Sequence, residues 1–124
     1  MRLCARGDQQ NPGVSFKESD LYAPVLKPEA TEARLLLALA AAEGAKVVKT
    51  DTKQACLYGD MGDDVVYVRP RDWWPEPIQE GQVFLLLKSI YGTRQAAREW
   101  RTHISTWMEK NGYEAMNSEK TSFM

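Results

Sequence analysis

Residues 32–43 read EARLLLALAAAE. Wound into a helix, this run is apolar on nearly every side. One amphipathic contact would not cover it, so the helix is expected to be buried on more than one face. Thr31 stands before it as a cap, and Gly44 follows where helices commonly turn left-handed. A second run, VFLLLK at 83–88, has no polar alternation and reads as a buried strand. A chain holding both must supply a sheet and a helical layer. Its 124 residues suffice for one small domain with a modest core.

The remaining elements follow from local signals. RLCAR, residues 2–6, reads as an edge strand stopped by Gly7-Asp8. Residues 7–30 are loop-like, punctuated by Asn11-Pro12-Gly13, Pro24 and Pro28. Residues 45–50 read as a short strand ending on Asp51. GDMGDD (59–64) is an acidic turn, VVYVR (65–69) a strand, and 69–82 an irregular proline-rich loop. A helix is expected from about Arg94 to Asn111, with Ala97, Trp100, Ile104, Trp107 and Met108 facing inward and Gly112 as its stop. The tail, YEAMNSEKTSFM, reads as a partial strand. Interleaved helices and strands with a hairpin argue for an α+β fold rather than a βαβ series.

Composition closes off several functions. A formal net charge of -1 is not that of a strongly basic nucleic-acid-binding domain, so any basic surface must be local. Cys4, Cys56 and His103 are too few for a structural zinc site. The start, MRLCARGDQQ, lacks the apolar stretch of a signal peptide, and Leu35–Ala42 is too short to span a bilayer. The chain is therefore expected to be intracellular, not secreted, with no membrane partner.

Taken alone, Asp51 is either a solvated acid at a strand end or a carboxylate on a rigid mount. Cys56 fits a small buried hydrophobe. Trp73 and Trp74 either pack the proline-rich loop down or stack on bases. His103 fits a half-exposed helix residue.

Three ordered stretches go further. RLCARGDQQNPGVSFKESDLYAPVLKPEATEARLLLALAA (2–41), KTDTKQACLYGDMGDDVVYVRP (49–70) and LLLKSIYGTRQAAREW (85–100) span most of the chain. They resemble, in the same order, the finger segment, the MDVKTAFLNGEL-type stretch and the KSLYGLKQAPRAW-type stretch of the reverse transcriptase domain of copia-type LTR retrotransposons. The resemblance implies fingers plus a partial palm of a right-hand polymerase with an incomplete sheet. Residues 1–44 would be the fingers segment. Residues 45–124 would hold the palm start, the hairpin and the helix after SIYGTRQAAREW.

It also implies roles. Asp51 matches the first catalytic aspartate, a Mg²⁺ ligand together with the backbone carbonyl of Thr52, in a site that holds two ions in the intact enzyme. Arg2 and Arg6 match basic finger residues near the triphosphate, though solvated charges on an edge strand are an equal reading. Cys56 stands at the sugar-gate position, where the family usually has an aromatic ring. Tyr91, Gly92, Arg94 and Gln95 match the loop and helix start that hold the templating base and incoming nucleotide. The implied partners are an RNA or DNA template-primer, a deoxynucleoside triphosphate and the rest of a Pol polyprotein, in cytoplasm or nucleus.

The chain departs from the family pattern in four places. Cys56 replaces the aromatic, Ala97 replaces a proline, and Arg101 replaces a tyrosine. The Tyr-x-Asp-Asp hairpin, expected beyond the segment matched by EKTSFM, does not occur in the sequence. The acids of 59–64 and Asp72 sit in turn contexts and do not substitute for it. The chain alone is thus expected to be inactive, and to hold Mg²⁺ poorly. The alternative is a degenerate or co-opted remnant that acts at most as a nucleic-acid or protein interaction module.

Overall fold

The computed structural model of the chain describes residues 3–27, 30–71 and 74–124. Arg2, Pro28, Asp72 and Trp73 lie outside the described residues. The fold is a small α+β arrangement. It has helices α1 (Thr31–Ala42) and α2 (Ala96–Lys110), strands β1 (Tyr67–Val68) and β2 (Phe84–Leu85), and three short 3-10 turns. It divides into two compact units, one of residues 1–22 with 54–103 and one of residues 23–53 with 104–124.

The first unit holds the apolar core, in which Phe16, Met61, Val66 and Ala96 are buried. VVYVR and VFLLLK pair antiparallel, with Tyr67 opposite Leu85 and Val68 opposite Phe84. The pairing continues beyond the two short strands. Val66 O accepts from Leu86 N at 2.9 Å, Leu87 O from Met61 N at 3.2 Å, and Gly59 O from Ser89 N at 2.9 Å. VFLLLK is not the fully buried strand its composition predicts. Phe84 and Leu86 are half-buried, while Val83, Leu85 and Leu87 are exposed. Among the described residues no other element packs over the outer face of the pair, and the period-2 alternation of a strand then sorts the run. Gly59 lies so close to α2 that an added Cβ would come within 2.6 Å of Glu99 Cβ. Trp74 packs against Phe84 with ring centroids 5.3 Å apart, so this part of the proline-rich loop is held down.

The second unit contains α1. Gly44, at φ +64, stops this helix as expected: Ala45 N bonds Ala40 O at 2.8 Å and Gly44 N bonds Ala41 O at 3.4 Å. Gly112, at φ +85, ends α2 the same way, with Tyr113 N on Met108 O and Gly112 N on Glu109 O, both at 3.1 Å. Thr31 is the first helical residue rather than the cap; Ala30 caps without a side-chain bond. The tail pairs with itself, Glu114 N with Met124 O at 2.8 Å and Met116 N with Ser122 O at 2.9 Å. Asn117 ties this turn to α1 by donating to Glu32 Oε2 at 2.9 Å.

Several expectations fail here for one reason. α1 buries none of its residues. Leu35 and Leu37 are 54% and 56% exposed. Residues 45–50 form no strand, and Val47 and Val48 are exposed. Residues 3–6 form no strand either. Ala97 and Trp107 on α2 are exposed, while Trp100, Ile104 and Met108 are half-buried. A strand exists only where a neighbour takes its hydrogen bonds, and a helix face is buried only where a layer meets it.

Candidate functional site

The Tyr91–Gln95 segment meets the start of the chain. Ala5 N donates to Tyr91 O at 2.7 Å. Two glycines make the approach possible. A Cβ on Gly7 would lie 2.0 Å from Gly92 O, and one on Gly92 would lie 2.2 Å from Ala5 O. Gly92 also has φ +88, a conformation natural only to glycine. Arg94 Nε donates to Gly7 O at 3.1 Å, and its guanidinium carbon stands 5.9 Å from the centre of the buried Phe16 ring. That geometry favours a cation over the ring face.

Beneath Arg94 lies an amide relay. Gln10 Oε1 accepts from the Arg94 backbone N–H at 2.8 Å. Gln10 Nε2 donates to Gln95 Oε1 at 3.0 Å, and Gln95 Nε2 donates to Ser15 O at 2.7 Å. The Gln95 side chain is 0% exposed, with both amide ends used, so it is not open to a ligand. The Arg94 amide, expected to be one of the free donors at a helix start, is taken by Gln10. The sequence singled out neither Gln10, Ser15 nor Phe16. Only the glutamines' capacity to bond at both ends could have pointed to them.

Arg6 is occupied differently. Its Nη2 meets Asp8 Oδ2 at 2.6 Å, with both side chains about 60% exposed. The hydrogen bond from Arg6 holds the Asp8 carboxyl below its usual range, and that bond with Asp8 raises the Arg6 guanidinium. Such an exposed pair contributes little stability, but it satisfies the Arg6 charge locally. Cys56 lies half-buried in the turn Ala55–Tyr58, and its carbonyl accepts from the buried Ser89 hydroxyl. Nearby, His103 is half-buried, 5.7 Å from the Tyr58 ring and 5.9 Å from the Trp100 ring.

Asp51 and Thr52 belong to the other unit and are exposed. The expected strand leading to Asp51 is not formed, so its mount is a segment without regular structure rather than a sheet. Among the described residues, no group of three or more His, Cys, Asp or Glu is placed to hold a metal ion. Mg²⁺ requires six oxygens in near-octahedral array and keeps several as water. One exposed carboxylate and one carbonyl do not make a resident site by themselves. Among the described residues, no helix is long and apolar enough to cross a membrane.

The chain belongs to the reverse transcriptase (RNA-dependent DNA polymerase) family, whose model matches residues 1–124. It is 32% identical over 112 residues to the retrovirus-related Pol polyprotein from transposon TNT 1-94 of Nicotiana tabacum, a match covering 90% of this chain. It is 29% identical over 123 residues to the corresponding polyprotein from transposon RE2 of Arabidopsis thaliana, covering 99% of this chain. To that from transposon RE1 of the same plant it is 28% identical over 123 residues. The chain spans 8% of the length of each of these relatives. No solved structure matches it.

Proposed function

We propose that these residues form the fingers and the opening of the palm of an RNA-directed DNA polymerase that extends a primer by two-metal phosphoryl transfer. What supports this most is the family match over residues 1–124. In this reading, Asp51 and the Thr52 carbonyl are two of the oxygens around Mg²⁺, and the other ligands come from outside residues 1–124. When bound, such cations would stabilise the negative charge on the attacking and leaving oxygens. Arg2, Arg6, Cys56, Tyr91, Gly92, Arg94 and Gln95 line or support the nucleotide pocket. Arg94 is the guanidinium proposed for a phosphate, because the Gly7 carbonyl and the Phe16 ring hold its side chain beside the Tyr91–Gly92 turn. Template-primer, deoxynucleoside triphosphate and the rest of a Pol polyprotein are the partners.

On their own, residues 1–124 do not extend a primer, since they include no Tyr-x-Asp-Asp. The test is Asp51→Ala in a longer enzyme that includes that hairpin. Primer extension should be abolished, while the melting temperature stays unchanged because the side chain is exposed. Retained extension would sink the assignment. The second reading, a non-catalytic remnant that binds nucleic acid or protein, is favoured by Cys56 at the sugar gate. It predicts that the longer enzyme does not extend a primer even with Asp51 intact.

A further inference from the structure

The hydrogen bonds at the start of α2 converge on Gln10, a side chain to which the family resemblance assigns no role. We propose that Gln10 is a positioning residue for Arg94: it joins the Arg94 amide to the buried Gln95 and so presents the Arg94 guanidinium to the triphosphate of a nucleotide. This rests on the nucleotide-binding reading of Arg94 given above.

Three observations carry it. First, the relay is directional. Gln10 Oε1 takes the Arg94 N–H at 2.8 Å, which leaves Gln10 Nε2 to donate to Gln95 Oε1 at 3.0 Å. Gln95 Nε2 is then left to donate to Ser15 O at 2.7 Å. Turning any one amide over would set donor against donor or acceptor against acceptor. Second, the relay ends on a buried anchor, since Gln95 is 0% exposed. Gln10 is thereby fixed relative to the core, not to a mobile surface. Third, Arg94 is held at three points: its amide by Gln10, its Nε by Gly7 O at 3.1 Å, and its face 5.9 Å over Phe16. The Gly7 carbonyl also accepts from Gln10 N at 3.2 Å, so Gln10 touches two of the three restraints.

What these restraints leave is the terminal fork of the guanidinium, whose donors match phosphate oxygens in pairs. Two other arginines of the unit make the contrast: Arg6 is paired with Asp8, and Arg98 with Asp64 and Glu99. A free arginine side chain samples many rotamers, so holding one in a single pose lowers the ordering cost when an anion arrives.

The experiment uses the 124-residue chain and sodium tripolyphosphate as the probe. Binding is measured by calorimetry, and hydrogen exchange at Arg94 Nε–H is followed by nuclear magnetic resonance. Gln10→Met keeps the side-chain length and removes both amide contacts. It should weaken tripolyphosphate binding about fivefold, the size of one lost hydrogen-bond restraint, and speed Arg94 Nε–H exchange. Gln10→Glu keeps the acceptor for the Arg94 amide but sets oxygen against Gln95 Oε1, so its Arg94 Nε–H exchange should fall between wild type and Gln10→Met, a partial rescue that a purely structural role would not give. Wild-type affinity in Gln10→Met, or unchanged exchange, overturns the positioning role. If wild type binds tripolyphosphate no better than Arg94→Ala, the phosphate-binding reading of Arg94 falls, and with it the ligand half of this inference. The exchange comparison then still decides whether Gln10 holds Arg94.

Discussion

Replacing Gly7 by alanine tests the junction that forms the site. The new Cβ would sit 2.0 Å from Gly92 O. Non-bonded heavy atoms need well over 3 Å, so the two segments must part by at least about 1 Å. The Ala5 N to Tyr91 O bond is 2.7 Å and the Arg94 Nε to Gly7 O bond is 3.1 Å. Parted by that much, neither remains a hydrogen bond. Each is worth about 1 kcal/mol net, and loosening the Arg94 amide from Gln10 adds up to about 1 more. Alanine returns about 0.4–1 kcal/mol by stiffening the unfolded chain. The steric term wins, leaving a net loss of about 2 kcal/mol. At roughly 4 °C per kcal/mol for a chain of this size, the melting temperature should fall by about 8 °C. Circular dichroism reads the melt, and amide exchange at Ala5 and Arg94 reads the junction. A melt within 2 °C of wild type, with both amides still protected, would refute the docking of this segment through Gly7.

Two further outcomes follow from burial and charge. Leu37, 56% exposed on α1, should cost less than about 1 kcal/mol on truncation to alanine by urea denaturation. Met61, 2% exposed, should cost about 2–4 kcal/mol; equal costs would mean that α1 is covered after all. The Arg6 hydrogen bond depresses Asp8 in the folded state from its ordinary 3.8. Its contribution is therefore present above that value and lost as pH falls through the lower folded value. The stability gap between wild type and Asp8→Asn should be small at pH 7, shrink in 1 M salt and close in acid. A gap that widens on acidification would reverse the assigned sign.

The helix stops were legible because they are local: Gly44 and Gly112 turn the chain by their own conformational freedom. The pairing of VVYVR with VFLLLK was legible in part, since both are rich in β-branched and apolar residues, but its length was not. Strand length depends on neighbours that no five-residue pattern reports. Residues 45–50 make the same point from the other side, having the composition of a strand and no partner. The burial of α1 was misjudged because apolar content records what a helix needs, not what the chain provides. At the site, the resemblance led to Tyr91, Gly92 and Arg94, but the burial of Gln95 and the place of Gln10 escaped. A side-chain amide bond between residues 85 apart leaves no periodicity to read.

The meeting of Gly7 with Arg94 also sets a clock. The partners are 87 residues apart in sequence. Closing a loop of that length costs about 4 kcal/mol of chain entropy before any contact repays it. A ribosome adding roughly 5–20 residues each second needs several seconds between making Gly7 and making Arg94. The segment made first must therefore wait, and the Gly7 carbonyl gains its partner only when the much later arginine has been synthesised.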